Sequence, residues 1–206
     1  MKKLFLLLFG IGLLQAKAQK QDSLFKNTQL FVKLGVTQNN LFNNSLFEQS
    51  LVGLEMGAHL QTKWSTQFYT QIGLSYVRKG SAREKIYTNA VGEPILSYTE
   101  NLYLHYVQLP VVFNYKYSMS NRSYLLVGAG AYGGYLFSAW VNPQHVFLNH
   151  EQGVGYNNWD MGGILNITYG YKKLAVYVQY QSGILNVSNE GGLNNTYLLG
   201  IAYRIK

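Results

Sequence analysis

The sequence has no cysteine at all. That excludes disulfides, and it excludes a lipid anchor attached through an N-terminal cysteine. A small exported domain with a thin core normally leans on disulfides in an oxidising compartment, so this chain must be stabilised some other way. Charge is also scarce, at 13% of residues. Lys and Arg number 17 against 9 Asp and Glu, but no clustered basic stripe of the kind that reads nucleic acid is present. No apolar run is suited to crossing a bilayer as a helix. The run from Leu4 to Leu14 is too short, and the uncharged stretch Tyr124 to Val141 is broken by Gly128, Gly130, Gly133 and Gly134. What the chain does have is tyrosine (18) and glycine (21) with a mean hydropathy of −0.07. Such a mixture suits a wall with one apolar and one polar face.

The N-terminus has the three-part layout of a secretory signal: Lys2-Lys3, the apolar core, then Ala16-Lys17-Ala18. Small residues at Ala16 and Ala18 place the expected cleavage after Ala18. Residues 1–18 are therefore expected to be a signal peptide and 19–28 a short periplasmic segment. Residues 29–206 are expected to form one domain. Loss of the signal removes three cations and leaves a mild excess of five, enough for a basic surface to touch anionic lipid head groups.

Along that domain, apolar residues recur at every second position in eight segments of about ten residues. The first sets Leu30, Val32, Leu34 and Val36 against Phe31, Lys33 and Gly35. The second separates Val52, Leu54, Met56, Ala58 and Leu60 from Gly53, Glu55, Gly57, His59 and Gln61. Further segments centre on Phe68–Tyr76, Leu102–Tyr115, Tyr124–Leu136, Asp160–Tyr169, Leu174–Gln181 and Tyr197–Ile205. Pro110 lacks an amide donor and predicts a bulge or local break in the fourth.

The connections alternate in length. Residues 37–50, 79–100, 138–157 and 183–195 read as long polar loops, whereas 62–63, 116–123 and 170–173 read as short turns. In hydrocarbon every backbone polar group must be paired internally, so a spanning sheet has to close on itself. The expected fold is all-β: an eight-stranded antiparallel up-and-down transmembrane β-barrel with short periplasmic turns and long extracellular loops, located in the outer membrane of a Gram-negative cell. Trp64, Tyr98, Tyr103, Tyr135, Trp140, Trp159 and Tyr171 near strand ends would supply interfacial girdles.

Several motifs point the same way. Tyr106-Val107-Gln108-Leu109-Pro110-Val111-Val112 resembles the Tyr-Leu-Glu-Ile-Pro-Leu-Leu motif of the PorT-like outer-membrane barrel family, with Gln108 where that family usually has Glu. Leu126 to Tyr135, Asp160-Met161-Gly162-Gly163, Val178 to Ile184 and Gly200-Ile201-Ala202-Tyr203 are similar to later strands of the same family. The resemblance implies a fold and an outer-membrane location. Most members have no assigned activity.

An eight-stranded barrel is just wide enough for its own side chains, so an open pore is not expected. The predicted inward set is Lys33, Glu55, His59, Gln71, Gln108, Asn114, Asp160, Asn166, Gln179, Gln181 and Arg204. Within it Lys33 and Glu55 lie at similar distances from their loop and are candidates for a lumen ion pair. The Asn pairs at 39–40, 43–44, 157–158 and 194–195 read as solvated turns.

His145 and His150, with Ser138 and Asp160 nearby, are the only catalytic suspects. They form no nucleophile motif and no metal spacing, so no catalytic, metal or cofactor residue is expected. The expected partners are outer-membrane lipids and lipopolysaccharide, the outer-membrane assembly machinery, and a protein partner at the extracellular loops. The expected role is structural, adhesive or accessory. Two rivals remain at this point: a lipid-modifying enzyme at the rim, and a soluble periplasmic lipocalin-like carrier. The carrier requires the stripe Val52, Leu54, Met56, Ala58, Leu60 to face inward.

Overall fold

The computed structural model describes residues 27–43, 49–120, 122–141, 144–146, 155–189 and 191–205. The expected cleavage site at Ala16 and Ala18, most of the 19–28 segment, and His150 lie outside them. Nine strands follow in order: β1 (Thr28–Phe42), β2 (Gln49–Lys63), β3 (Phe68–Thr88), β4 (Pro94–Ser118), β5 (Ser123–Val141), β6 (Gln144–Val146), β7 (Trp159–Tyr171), β8 (Leu174–Ser188) and β9 (Gly191–Arg204). Eight of them pair with their neighbours, always antiparallel. The ring closes because β1 pairs with β9, while β4 pairs with β5. Closure leaves no open edge in the wall, which is what a sheet in hydrocarbon requires. The three-residue β6 adds only to the outer end of β5.

The two-residue alternation in the sequence becomes the two faces of this wall. Leu34, Val36, Met56, Leu165, Val178, Leu199 and Ile201 point outward and are roughly half exposed. The residues between them, among them Glu55, Gln108, Asn114, Asp160, Asn166, Gln179 and Gln181, are buried in the lumen. The carrier alternative is thereby corrected. Val52, Met56 and Leu60 are exposed on the outer surface, so the apolar face seeks lipid and the lumen is the polar side.

Two of the expected long loops are also corrected: β1, β2, β8 and β9 continue through most of 37–50 and 183–195. Of the expected loop 138–157, β5 takes 138–141, and 142–143 and 147–154 lie outside the described residues. Hydrogen bonding explains why the two Asn-rich stretches stay in the sheet. Asn39 is buried, its amide donating to Thr37 Oγ1 at 2.8 Å and to the Leu51 carbonyl at 3.1 Å. Asn194 is buried too, and donates to the Tyr106 hydroxyl at 3.3 Å. Inside a polar lumen, asparagine is a core residue. Asn43 does behave as a turn residue, with φ of 58°, a conformation asparagine tolerates better than most.

Pro110 breaks the ladder on one side only. Its pairing with Tyr132 of β5 is intact, whereas the β3–β4 register passes from Ile72↔Val111 to Ser75↔Gln108 with no pairs between and no slip. The bulge on the β5 side falls instead between His105 and Tyr106.

The largest departure is at β3 and β4, of 21 and 25 residues. Spanning takes only about 9–11 residues of tilted strand. β2 leaves β3 at Ala82 and β5 leaves β4 at Leu102. From Arg83↔Glu100 to Thr88↔Pro94 the two strands pair, among the described residues, with each other alone, as a ribbon standing beyond the ring. Gly80 sits at its base with φ of 138°, and a Cβ there would lie 1.9 Å from the Leu102 carbonyl oxygen. Only glycine accepts that backbone and that approach.

Candidate functional site

The lumen comes first, because what fills it decides whether anything passes through. Lys33 on β1 and Glu55 on β2 are diagonal neighbours across one hairpin, since Lys33 opposes Gly57 and Gly35 opposes Glu55. Lys33 Nζ lies 2.5 Å from Glu55 Oε1. The other carboxylate oxygen accepts from the Tyr177 hydroxyl of β8 at 2.9 Å. Tyr177 reaches across because Gly35 and Gly200 oppose each other in the β1–β9 ladder beneath it. A Cβ at Gly200 would lie 2.5 Å from the ring's Cζ.

A second ionic layer lies nearer the outer end. Lys79 of β3, fully buried, donates to Asp160 Oδ2 of β7 at 2.9 Å. Tyr132 of β5 donates to Asp160 Oδ1 at 3.2 Å, and the Lys79 ammonium sits 4.3 Å from the centre of the Tyr132 ring. Buried charge persists only when compensated in this way. Asp160 was legible as inward-facing, but Lys79 was not, because it falls where the sequence reads as loop.

Above that layer, Leu41, Leu102, Leu104, Tyr106, Leu136, Ala139 and Val187 form an apolar cluster inside the outer end of the barrel. Below the ion pairs, the lumen cavity bounded by Phe31, His59, Gln71 and Tyr177 measures about 30 Å³, room for about two waters. Among the described residues, the two ion-pair layers and the apolar cluster occlude the middle and outer parts of the lumen. Reconstituted in a planar bilayer, it should show no steady conductance steps. Steps of the size of a water-filled pore would sink the occluded-lumen account.

Of the catalytic suspects, His150 lies outside the described residues. Asp160 is committed to Lys79 and Tyr132 within the lumen. Ser138 Oγ accepts from Trp140 Nε1 at 2.8 Å. His145 is placed in β6 opposite Trp140 by its backbone. Among the described residues no three His, Cys, Asp or Glu come together as a metal site.

The ribbon is the second candidate. Ile86, Tyr87, Val91, Ile95 and Leu96 are all exposed on or beside it, Val91 by 80%. Tyr87 and Tyr98 stack at 5.8 Å and stiffen the ribbon, and Arg83 pairs with Glu100 at 2.6 Å at its root. Its position beyond the membrane-spanning wall gives no lipid to cover those apolar side chains.

Comparison with known proteins agrees with this architecture. No curated protein matches the chain. Among solved structures, Neisserial surface protein A aligns with a TM-score of 0.51 at 10% identity, covering 85% of this chain and 97% of its own. Ail, the attachment invasion locus protein of Yersinia pestis, crystallised with the heparin analogue sucrose octasulfate, aligns with a TM-score of 0.41 at 11% identity, over 87% and 99% of the two chains. The N-terminal β-barrel domain of Pseudomonas aeruginosa OprF gives 0.34 at 11%, over 86% and 99%. At such identities the likeness to the Neisserial protein is one of fold. The family model for the outer membrane protein beta-barrel domain matches residues 17–189. With its closed eight-stranded wall, apolar outside and polar inside, this chain belongs to the outer-membrane β-barrel domain family.

Proposed function

We propose that this outer-membrane barrel is a non-enzymatic surface protein that holds a partner through the β3–β4 ribbon, in an adhesive or accessory role. The observation that carries the reading is the ribbon itself. It is two-stranded from Arg83 to Glu100, and no other strand pairs with that stretch among the described residues. Open strand edges are templates for pairing with another chain. Exposed apolar side chains on both its faces, Ile86 and Tyr87 being adjacent in sequence, mark an interaction surface when they stand in water. The motifs around Pro110 support kinship with the PorT-like branch of the family. Lipopolysaccharide at the outer half of the wall and the assembly machinery during insertion are the further partners proposed.

The test is to replace residues 84–99 by a two-residue Asn-Gly turn, which suits a tight hairpin and joins the directly opposed Arg83 and Glu100. The barrel should stay in the outer-membrane fraction with its heat-dependent shift on denaturing gels. Cells expressing the full chain should be retained on protein-coated surfaces and aggregate more than cells expressing the shortened one. Equal retention and aggregation would remove the ribbon from the function.

A further inference from the structure

Among the described residues, the opposite mouth of the barrel carries charge of one sign. At the periplasmic strand ends and turns stand Lys63, Lys116, Arg122, Lys172, Lys173 and Arg204. The five described carboxylates are elsewhere: Glu55 in mid-strand, Asp160 at the outer start of β7, and Glu84, Glu93 and Glu100 on the ribbon. Four of the six cations, Lys116, Arg122, Lys172 and Arg204, line a single open bowl of about 330 Å³ together with Ser123 and Tyr124.

The backbone holds these like charges together. The Lys172 amide donates to the Arg122 carbonyl at 2.8 Å, tying the β7–β8 turn to the β4–β5 turn. The Arg204 amide donates to the Lys173 carbonyl at 2.8 Å, and the Lys116 amide to the Gln67 carbonyl at 2.7 Å. The side chains are supported by aromatic faces and by an amide. Lys116 Nζ lies 5.0 Å from the centre of the Tyr124 ring and 5.4 Å from that of Tyr69, Lys172 Nζ lies 5.4 Å from Tyr171, and Arg204 donates to the Gln29 side-chain carbonyl at 3.4 Å. No described carboxylate neutralises the bowl. Cations fixed side by side repel one another, and that repulsion is relieved when an anion enters between them.

We propose that the periplasmic mouth of the barrel binds a phosphate-bearing anion, cradled by Lys116, Arg122, Lys172 and Arg204. Phosphate fits better than a single carboxylate for two reasons. It offers several oxygens to guanidinium forks approaching from a turn and from a strand end, and as a monoester or diphosphate it carries more than one negative charge. The hydroxyls of Ser123 and Tyr124 add neutral donors at the wall. Two sources supply this chemistry at that height: phospholipid head groups of the inner leaflet, and free phosphate compounds of the periplasm.

The test uses the full barrel in an uncharged maltoside detergent, titrated calorimetrically with pyrophosphate. Saturable binding is expected, about tenfold weaker in an Arg122→Gln/Lys172→Asn variant. Asparagine is chosen because Lys172 has φ of 55°, which it tolerates. A Lys63→Gln/Lys173→Gln variant removes the same charge from outside the bowl and should bind as the parent does. Absent binding in the parent, or equal weakening in both variants, overturns the site. Repeating the titration in nanodiscs separates the sources. Pyrophosphate binding lost in phosphatidylglycerol discs but kept in phosphatidylcholine discs identifies the lipid head group, and binding kept in both identifies a free anion.

Discussion

Replacing Lys79 with methionine should destabilise the barrel by about 3–5 kcal/mol, the range for removing one partner of a buried ion pair. Asp160 would keep the Tyr132 hydroxyl at 3.2 Å and lose its counter-charge in a site that water does not reach. Methionine nearly matches the lysine stem in volume, so the loss is electrostatic and not a cavity. The double variant Lys79→Met/Asp160→Asn removes both charges and should recover a large part of the loss, because a matched neutral pair avoids burying any ion. Reversible urea unfolding from phospholipid vesicles measures both. A single variant within about 1 kcal/mol of the parent, or a double variant showing plain additivity, would mean that Lys79 and Asp160 are not coupled as the 2.9 Å contact implies.

The second large effect is expected on the outer face. Leu199 lies mid-strand in β9, half exposed, flanked in register by Val36 of β1 and Val178 of β8, all pointing outward. In lipid, Leu199→Arg places a cation near the hydrocarbon midplane and should cost about 2–4 kcal/mol. Leu174→Arg, outward at the periplasmic start of β8, should cost only about 0–1 kcal/mol because the charge reaches the interface. Both are read as shifts of the unfolding midpoint in vesicles. If both substitutions were neutral, the exterior would be facing water.

Much of this was legible in the sequence, and for a definable reason. A strand reverses its side chains every residue, so a wall with lipid on one side and a polar lumen on the other writes a period of two into the chain. Lys33 and Glu55 could be placed together because one hairpin joins them and their distances from its loop match. Lys79 and Asp160 could not be, with 81 residues between them. Only the closure of the ring, with the β5, β7 and β8 strands curving round to face β3, brings them into one layer. The ribbon was hidden for another reason. Residues 79–100 are polar or mixed on both faces, so no alternation marks them as strand, and they pair because each of the two segments continues a strand already in register.

The asparagines show the same limit. Asn39 and Asn194 read as solvated turns, since asparagine is a turn residue in ordinary proteins, yet each is 2% exposed or less. In a barrel the interior is polar and its hydrogen bonds come from strands distant in sequence: Thr196 donates to Asn39 Oδ1 at 2.9 Å, and Asn194 donates to Tyr106.

By itself the sequence determined the eight strands of the closed wall, the inward and outward faces and the outer-membrane setting, all of which follow from local alternation and from the need to pair every backbone group in lipid. Only the tertiary structure decided which inward charges meet across the lumen, that these layers and an apolar cluster occlude it, that β3 and β4 rise beyond it as a ribbon, and that four cations from separate strands and turns share one bowl. Those features depend on closure, which sets distances between residues that the chain keeps far apart.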